Sequence, residues 1–125
     1  MTTTNLTVPK DEEVELTIDQ GAILEFTFRV RGANGSPYDL SLFTPRGQLR
    51  RLKDRSSQLL AELTVERLAP FSSGRLSVTL GATATRLLTG KGFFDIEIED
   101  TGTPNPDRVY RVLQGEFAVD AEVTE

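Results

Sequence analysis

The chain contains no cysteine, no histidine and no tryptophan among its 125 residues. Without cysteine it cannot form a disulfide, a thiolate zinc site or a cysteine nucleophile, and this composition fits synthesis in a reducing cytosol. Without histidine it lacks the commonest general base, which excludes a histidine-based catalytic triad and the H-E-x-x-H metalloprotease motif. The glycines and serines form no phosphate-binding loop, dinucleotide fingerprint or nucleophile elbow. We therefore predict a non-enzymatic protein with no catalytic residues, no cofactor and no metal ion.

The apolar runs in the sequence are also short. Even the longest is far shorter than the roughly 20 residues of a membrane-spanning helix. The first five residues do not join a basic segment to an apolar run, so we expect no secretory signal. The net charge of −5 disfavours a nucleic-acid partner, because phosphate binding requires a basic surface. The length predicts one domain. From the absence of cysteine and of long apolar runs we expect synthesis in the cytoplasm and no association with a membrane.

Alternation of apolar and polar residues is the main pattern that the chain does contain. It is clearest in residues 24–30, where four apolar residues alternate with three polar ones, as in a strand with one buried face. Further strands are predicted at 14–18, 47–53, 59–65, 76–80, 94–98 and 108–119. About seven short strands with turn residues between them predict an all-β fold, specifically an immunoglobulin-like β-sandwich of antiparallel strands.

One segment and two single residues are expected to depart from the regular alternating strands. Residues 81–88 carry little alternation and good helix formers, so we predict a short helical turn there. Pro45 lacks a backbone donor and is expected at a strand start or in a loop, and Gly115 is expected to mark a β-bulge. The predicted organisation is an N-terminal arm at 1–10 with a short edge strand, the sandwich at 11–119, and an acidic tail at 120–125.

An acidic stripe of Asp95, Glu97 and Glu99 falls on one face of a predicted strand, with neighbouring carboxylates about 6–7 Å apart. Such carboxylates could perform acid–base chemistry or bind calcium. The commoner role of such a stripe is a solvated outer face, which is the interpretation we favour. Residues 100–107 also contain oxygen ligands, but their spacing is not that of an EF-hand, so we favour turns capped by Asn and Asp side chains.

A basic segment follows the predicted β-turn in the first half of the chain. It could bind an anionic surface or nucleic acid, but adjacent residues on a strand point to opposite faces, which splits its charge. A second interpretation is pairing between subunits, with the basic segment of one copy meeting the acidic tail of another. A solvated charged surface is the third. The segment comprises Arg46, Arg50, Arg51, Lys53 and Arg55.

Several short motifs follow one another in order along the chain. They are L-T-I-D-Q-G-A at 16–22, N-G-S-P-Y-D-L at 34–40, G-Q-L-R at 47–50, an apolar strand with a helical turn at 74–88, K-G-F-F-D-I-E-I at 91–98 and R-V-L-Q-G-E-F-A-V at 111–119. This order resembles small immunoglobulin-like structural proteins of tailed bacteriophages and is similar to the N-terminal domain of phage baseplate upper proteins. The resemblance covers residues 14–123.

The resemblance implies a virion structural protein that forms part of a tail, a baseplate or a fibre attachment. It would act by assembling with copies of itself, as a homo-oligomer, and with other virion proteins. The alternatives are a capsid decoration protein on the phage head and, in another class, a carbohydrate-binding module. The residues predicted to make assembly contacts lie in the arm, the basic segment and the tail: Leu6, Val8, Arg46, Arg50, Arg51, Lys53, Arg55, Glu122 and Glu125.

Overall fold

The computed structural model describes residues 7–8, 13–32, 35–52, 56–100 and 109–121. These residues confirm the all-β prediction, and the one α-helix, α1 (Ala82–Arg86), lies inside the interval predicted for a helical turn. No helix in these ranges is long and apolar enough to cross a membrane. The strands are β1 (Thr7–Val8), β2 (Glu13–Asp19), β3 (Leu24–Val30), β4 (Phe43–Arg50), β5 (Leu59–Arg67), β6 (Arg75–Leu80), β7 (Lys91–Asp100) and β8 (Val109–Asp120).

The eight strands form one continuous sheet in the order β1-β3-β6-β5-β4-β7-β8-β2. Strand β5 joins the two halves of this sheet, because Leu59–Leu63 pairs with β4 whereas Thr64–Arg67 pairs with β6. The sheet therefore curls towards a barrel. The division into two separate layers that defines an immunoglobulin-like sandwich remains a prediction.

The prediction that all strands are antiparallel is wrong for the first two strands. Strand β1 runs parallel to β3, and β2 runs parallel to β8 over all seven of its residues. Alternation along a strand shows which side chains face the core but does not encode the direction of the neighbouring strand. The direction of β2 follows from its connection. A short turn at 20–23 joins β2 to β3 in the other half of the sheet, so these two strands run in opposite directions. Strand β8 also runs opposite to β3, and β2 is therefore parallel to β8.

The predicted strand at 47–53 begins earlier than expected, and Pro45 lies inside β4. Pro45 is opposite Ile98 of β7, but the pairing of β4 with β5 begins only at Gly47. Among the described residues, 43–46 therefore have a strand partner on one side only, and a residue without a backbone donor is tolerated on the other. The expectation that Pro45 lies at a strand start or in a loop was wrong because the sequence does not show that β5 leaves β4 at this point.

Gly115 does not mark a bulge, contrary to the prediction. It pairs in register with Phe94 of β7 and Val14 of β2, and the irregularity of β8 lies elsewhere, between its pairs with Ile96 and Glu97. A Cβ atom at position 115 would collide with the backbone carbonyl of Val14. Glycine is required here because the backbones of β2 and β8 approach closely.

The core is filled by the inward residues of the alternating strands. In β3 Phe28 is fully buried, and Phe26 and Val30 are 6% and 5% exposed, as the alternation predicts. The other buried apolar residues come from both halves of the sheet and form one cluster with these: Ile18, Leu40, Phe43, Leu49, Leu63, Leu76, Val78, Leu80, Leu88, Phe94, Ile96, Ile98, Val112, Leu113 and Phe117.

We call the end of the barrel at which β4, β6 and β8 terminate the tail end, because the acidic tail begins there. The turn between β2 and β3 and the connection that contains α1 both lie at this end. They are joined by the buried Thr85, whose Oγ1 accepts from Gly21 N at 3.1 Å and donates to Ala22 O at 2.7 Å. In addition, Gln20 Nε2 donates to Leu88 O at 2.9 Å. These bonds fix the position of one connection against the other.

Candidate assembly surface

The basic segment and the acidic stripe, which the sequence presents as separate features, meet on the outer face of β4, β7 and β8. The antiparallel register places Arg46 opposite Glu97, and Glu97 opposite Arg111. Arg46 Nε lies 3.1 Å from Glu97 Oε1, and Arg46 Nη1 lies 3.7 Å from Glu99 Oε2. Arg111 Nε lies 3.5 Å from Asp95 Oδ2. The carboxylates of the stripe are thus neutralised by arginines on both neighbouring strands.

This arrangement supports the solvated outer face as the role of the acidic stripe. The side chains of Arg46 and Glu99 are 49% and 39% exposed, and exposed ion pairs of this kind contribute about 0–1 kcal/mol to stability. Within the described ranges, no group of three or more acidic residues could hold a metal ion. Of the loop at 100–107 only Asp100 is described, and it is buried in the sheet.

An open groove of about 610 Å³ runs along this face. Its walls carry both signs of charge, together with amide side chains and the half-buried ring of Phe93. This mixture suits a polar protein surface better than a uniformly anionic or cationic ligand. The residues that line the groove are Arg46, Gln48, Arg50, Leu52, Glu62, Phe93, Phe94, Asp95, Glu97, Arg111, Gln114 and Gly115.

Two further arginines of the basic segment, besides Arg46, make contacts within the chain. Arg50 Nη2 donates to Gln48 Oε1 at 3.0 Å, and Arg50 Nη1 donates to Ser57 O at 2.8 Å. Arg51 Nη1 donates to Thr89 O at 3.1 Å and also to the carbonyl of Lys91. The two guanidinium groups have different partners: that of Arg50 bonds to Gln48 and to Ser57 O, whereas that of Arg51, which follows β4, bonds to backbone carbonyls at 89 and 91.

The other predicted contact residues are placed only in part. Val8 lies in β1, at the edge of the sheet, whereas Leu6, Lys53, Arg55, Glu122 and Glu125 lie outside the described residues. Strand β8 nevertheless brings the start of the acidic tail, Asp120, to the same end as Arg51, because Val119 N donates to Gly90 O at 2.8 Å. Asp120 and Arg51 therefore lie at the same end of the sheet in a single copy.

The open edge of β2 is a feature that we did not predict from the sequence. In the part of the chain that the structure describes, Glu13–Asp19 pairs with β8 on one side and with no strand on the other. Its parallel register places Glu15 opposite Glu116 and Asp19 opposite Asp120, and all four residues are exposed. Like charges directly opposite each other destabilise a sheet. The acidic outer positions of E-V-E-L-T-I-D were visible in the sequence, but their neighbours were not.

Exposed apolar side chains are concentrated at the tail end. Ile23 follows the β2–β3 turn, Leu52 and Leu59 flank the β4–β5 loop, and Leu87 follows α1. Their exposed fractions range from 43% for Leu59 to 80% for Leu87. Leu42, the fifth large exposed apolar residue among those described, precedes β4 at the opposite end. In the sequence, the apolar doublets Ile23-Leu24 and Leu59-Leu60 interrupt the alternation of apolar and polar residues. These interruptions could have indicated the exposed apolar side chains.

Neither a protein-family model nor a curated protein sequence matches the chain. Among solved structures, the N-terminal domain of phage TP901-1 ORF48 is similar over 96% of this chain and 99% of that chain, with a TM-score of 0.58 and 11% sequence identity. The cysteine protease inhibitor EhICP2 from Entamoeba histolytica matches 94% of this chain and 96% of its own, but its TM-score of 0.43 supports no argument. The chain therefore has a fold similar to that of a phage protein domain.

Proposed function

We propose that this chain is a non-enzymatic structural protein of a bacteriophage virion, a component of a tail, a baseplate or a fibre attachment. The observation that carries this proposal is the similarity of fold to the N-terminal domain of phage TP901-1 ORF48, which extends over nearly the whole of both chains. The order of motifs along residues 14–123 resembles the same class of protein. The proposal includes an immunoglobulin-like fold and assembly with copies of itself and with other virion proteins.

The open edge of β2 supports assembly through strand pairing. A free edge presents unpaired backbone N–H and C=O groups, which are a template for another strand. Pairing of β2 with β2 of a second copy, antiparallel and centred on Leu16, would set Glu13 opposite Asp19 twice. That arrangement is unfavourable because the charges are alike. The edge therefore suits a neighbouring surface that carries positive charge.

A surface of that kind is present on the opposite half of the sheet. Arg29 of β3 lies directly opposite Arg75 of β6, and Arg31 directly follows the end of β3. Contact between this surface of one copy and the acidic β2 edge of another would be head-to-tail, which produces a ring where the rotation closes. A ring of identical subunits is a form that suits a tail or a baseplate.

The test of the proposal has two parts. Virions of the phage that encodes the chain are purified, and its copy number is measured by quantitative mass spectrometry and its position by antibody labelling in the microscope. The full chain is also expressed alone, and its mass in solution is measured at increasing concentration. We expect a fixed copy number per particle, labelling of the tail or baseplate, and a self-associating chain.

A matched pair of variants tests the acidic edge. Glu15→Lys reverses a charge on the β2 edge, whereas Glu66→Lys makes the same change at an exposed position of β5 that does not line the groove. We expect Glu15→Lys to lower the self-association measured in solution and Glu66→Lys to leave it unchanged. Labelling of the head instead of the tail would favour a capsid decoration protein. A monomeric chain that is absent from purified virions would contradict the proposal.

A further inference from the structure

The groove on the outer face of the sheet crosses four neighbouring strands, β5, β4, β7 and β8. The registers place Gln48 opposite Glu62 on one side and opposite Asp95 on the other. Asp95 in turn lies opposite Gln114 of β8. Directly paired residues share a face of the sheet, so these four side chains form one row along the groove, which we call the polar row.

Hydrogen-bond acceptors and donors alternate along the polar row. The first and third members are carboxylates, which only accept. Gln48 Oε1 accepts from Arg50 Nε at 3.2 Å and from Arg50 Nη2 at 3.0 Å. Gln114 Oε1 accepts from Arg111 Nη1 at 3.0 Å. Because each amide oxygen is bound to an arginine, each Nε2 group remains as a donor that has no partner among the described residues.

The charges that line the groove balance each other. Among the lining residues that the structure describes there are three guanidinium groups and three carboxylates, so their formal charges cancel. Arg46 Nε lies 3.1 Å from Glu97 Oε1, and Arg111 Nε lies 3.5 Å from Asp95 Oδ2. A charged ligand would have to compete with these ion pairs, whereas an uncharged ligand with many hydroxyl or amide groups can bond beside them.

The spacing of the polar row favours an oligosaccharide over a peptide segment. Hydrogen-bonded strands lie about 4.8 Å apart, so the four side chains extend over about 14 Å. The interval is close to the length of one pyranose residue, and the hydroxyl groups of each pyranose both donate and accept. In an extended peptide laid across the strands, side chains on one side recur about every 6.7 Å, which does not fit the interval.

One aromatic ring lies beside the polar row on the outer face. Phe93 is two positions from Asp95 in β7, and its neighbour Phe94 occupies the core side of the strand. The ring of Phe93 is half-buried, yet it is not part of the shell of residues that packs against the core. It lines the groove, where it offers an apolar face to the C–H groups of a sugar ring. The groove volume of about 610 Å³ is typical of ligand-binding sites.

We propose that the groove binds an uncharged oligosaccharide, with about three pyranose residues lying across β5, β4, β7 and β8. The amide groups of the polar row donate to hydroxyl oxygens, its carboxylates accept from hydroxyl groups, and Phe93 packs against one ring. This inference goes beyond the proposed function and does not depend on it, because binding is measured on the full chain in isolation.

Titration followed by NMR tests the proposal with three uncharged probes, which are maltotriose, cellotriose and chitotriose. We expect at least one of them to shift the side-chain amide signals of Gln48 and Gln114 in a saturable way, with an affinity that hardly changes between low and high salt. Glucose should bind about tenfold more weakly, because a single ring reaches fewer members of the polar row. Trigalacturonic acid and a hexapeptide of Ser, Thr and Gln represent an anionic ligand and a protein segment.

A matched pair of variants tests the polar row itself. Gln114→Ala removes one donor of the row, whereas Gln58→Ala removes an exposed amide that does not line the groove. We expect Gln114→Ala to weaken binding of the trisaccharide by roughly five- to tenfold, the effect of one lost hydrogen bond, and Gln58→Ala to leave it unchanged. Phe93→Ala should weaken binding as well, and circular dichroism checks that each variant is folded.

Three results would overturn the proposal. The first is the absence of a saturable shift with all three uncharged trisaccharides. The second is the same affinity in Gln114→Ala, Phe93→Ala and Gln58→Ala. The third is tighter binding of trigalacturonic acid or of the hexapeptide, which would assign the groove to an anionic ligand or to a protein segment. None of these results bears on whether the chain is found in virions.

Discussion

At the scale of single residues, Thr85 shows how one hydroxyl group connects two distant segments of the chain. It is the fully buried polar residue of the core, and its partners Gly21 and Ala22 lie more than 60 positions earlier. The single hydroxyl serves as acceptor for one backbone group and as donor for another, so it satisfies both. Its removal would leave these partly buried groups without this partner.

We predict that Thr85→Val, which keeps the shape of the side chain but removes the hydroxyl, lowers the free energy of unfolding by about 1–3 kcal/mol. The measurement is urea denaturation followed by circular dichroism. The control is Thr83→Val in the same helix, where the side chain is exposed, and we expect a change below about 0.5 kcal/mol. Equal effects of the two substitutions would show that the hydroxyl does not stabilise the connection.

Asp39 is a second residue whose chemistry is set locally. Its Oδ1 accepts from the Ser41 hydroxyl at 2.5 Å and from Ser41 N at 2.9 Å. The hydrogen bond from the Ser41 side chain, followed by that from its backbone, lowers the pKa of the Asp39 carboxyl below its usual value. Both bonds favour the charged form, since a carboxylate only accepts.

We therefore predict that Ser41→Ala raises the pKa of Asp39 towards its ordinary value, as measured by a carboxyl titration in NMR. Because the pKa is depressed in the folded state, the associated stabilisation is present above the unfolded-state pKa and is lost as the pH falls through the folded-state pKa. Ser36→Ala, in the same connection, is the control, because both hydrogen bonds that lower the pKa of Asp39 come from Ser41. An unchanged titration in Ser41→Ala would contradict this account.

At the scale of elements, close contacts between backbones decide where strands lie. Gly47 occupies the point at which β5 leaves β4, and a Cβ there would lie 3.1 Å from side-chain atoms of Leu63 and Val65. Gly115 occupies the point of closest approach between β8 and β2. In both places the absence of a side chain permits a strand to adopt its path, and neither glycine has a left-handed backbone conformation.

We predict that Gly115→Ala weakens the pairing of β2 with β8, because the added methyl group would collide with the Val14 carbonyl. Overpacking of this kind costs about 1–3 kcal/mol, and the clash with backbone favours the upper part of that range. The control is Gly81→Ala, where no atom lies within 4 Å of the added Cβ and no loss of stability is expected. Urea denaturation compares the two, and hydrogen exchange in residues 13–19 shows whether β2 is the element that opens.

At the scale of the whole molecule, the sharing of β5 makes the two halves of the sheet one unit. Strand β5 contributes hydrogen bonds to β4 with its first half and to β6 with its second. The core residues also form a single cluster that includes side chains from both halves. Loss of either half would expose the inward face of the other, so independent unfolding is not expected.

We predict that unfolding in urea is a single transition. Tyrosine fluorescence reports Tyr38 and Tyr110, whose rings lie 5.5 Å and 6.2 Å from that of Phe43, while far-ultraviolet circular dichroism reports all strands. The two signals should have the same midpoint. Val65→Ala in the second half of β5 should lower both midpoints together. Separate midpoints in either protein would show that the halves unfold independently.

The sequence by itself determined the strands, the helical turn and the core. Alternation depends on each residue and its near neighbours, so residues 24–30 and 94–98 could be assigned to strands and their inward side chains to the core. The absence of cysteine and histidine likewise limits the chemistry of the chain without reference to its fold.

The tertiary structure decided which strands are neighbours, and this changed the interpretation of the charges. The acidic stripe and the basic segment are about 50 positions apart in sequence, and only the register of β4 with β7 makes Arg46 and Glu97 partners. The parallel direction of β2, the tolerated Pro45 and the required Gly115 also depend on non-local pairing. The period of a strand specifies its faces, whereas its neighbours are selected by the packing of the whole chain.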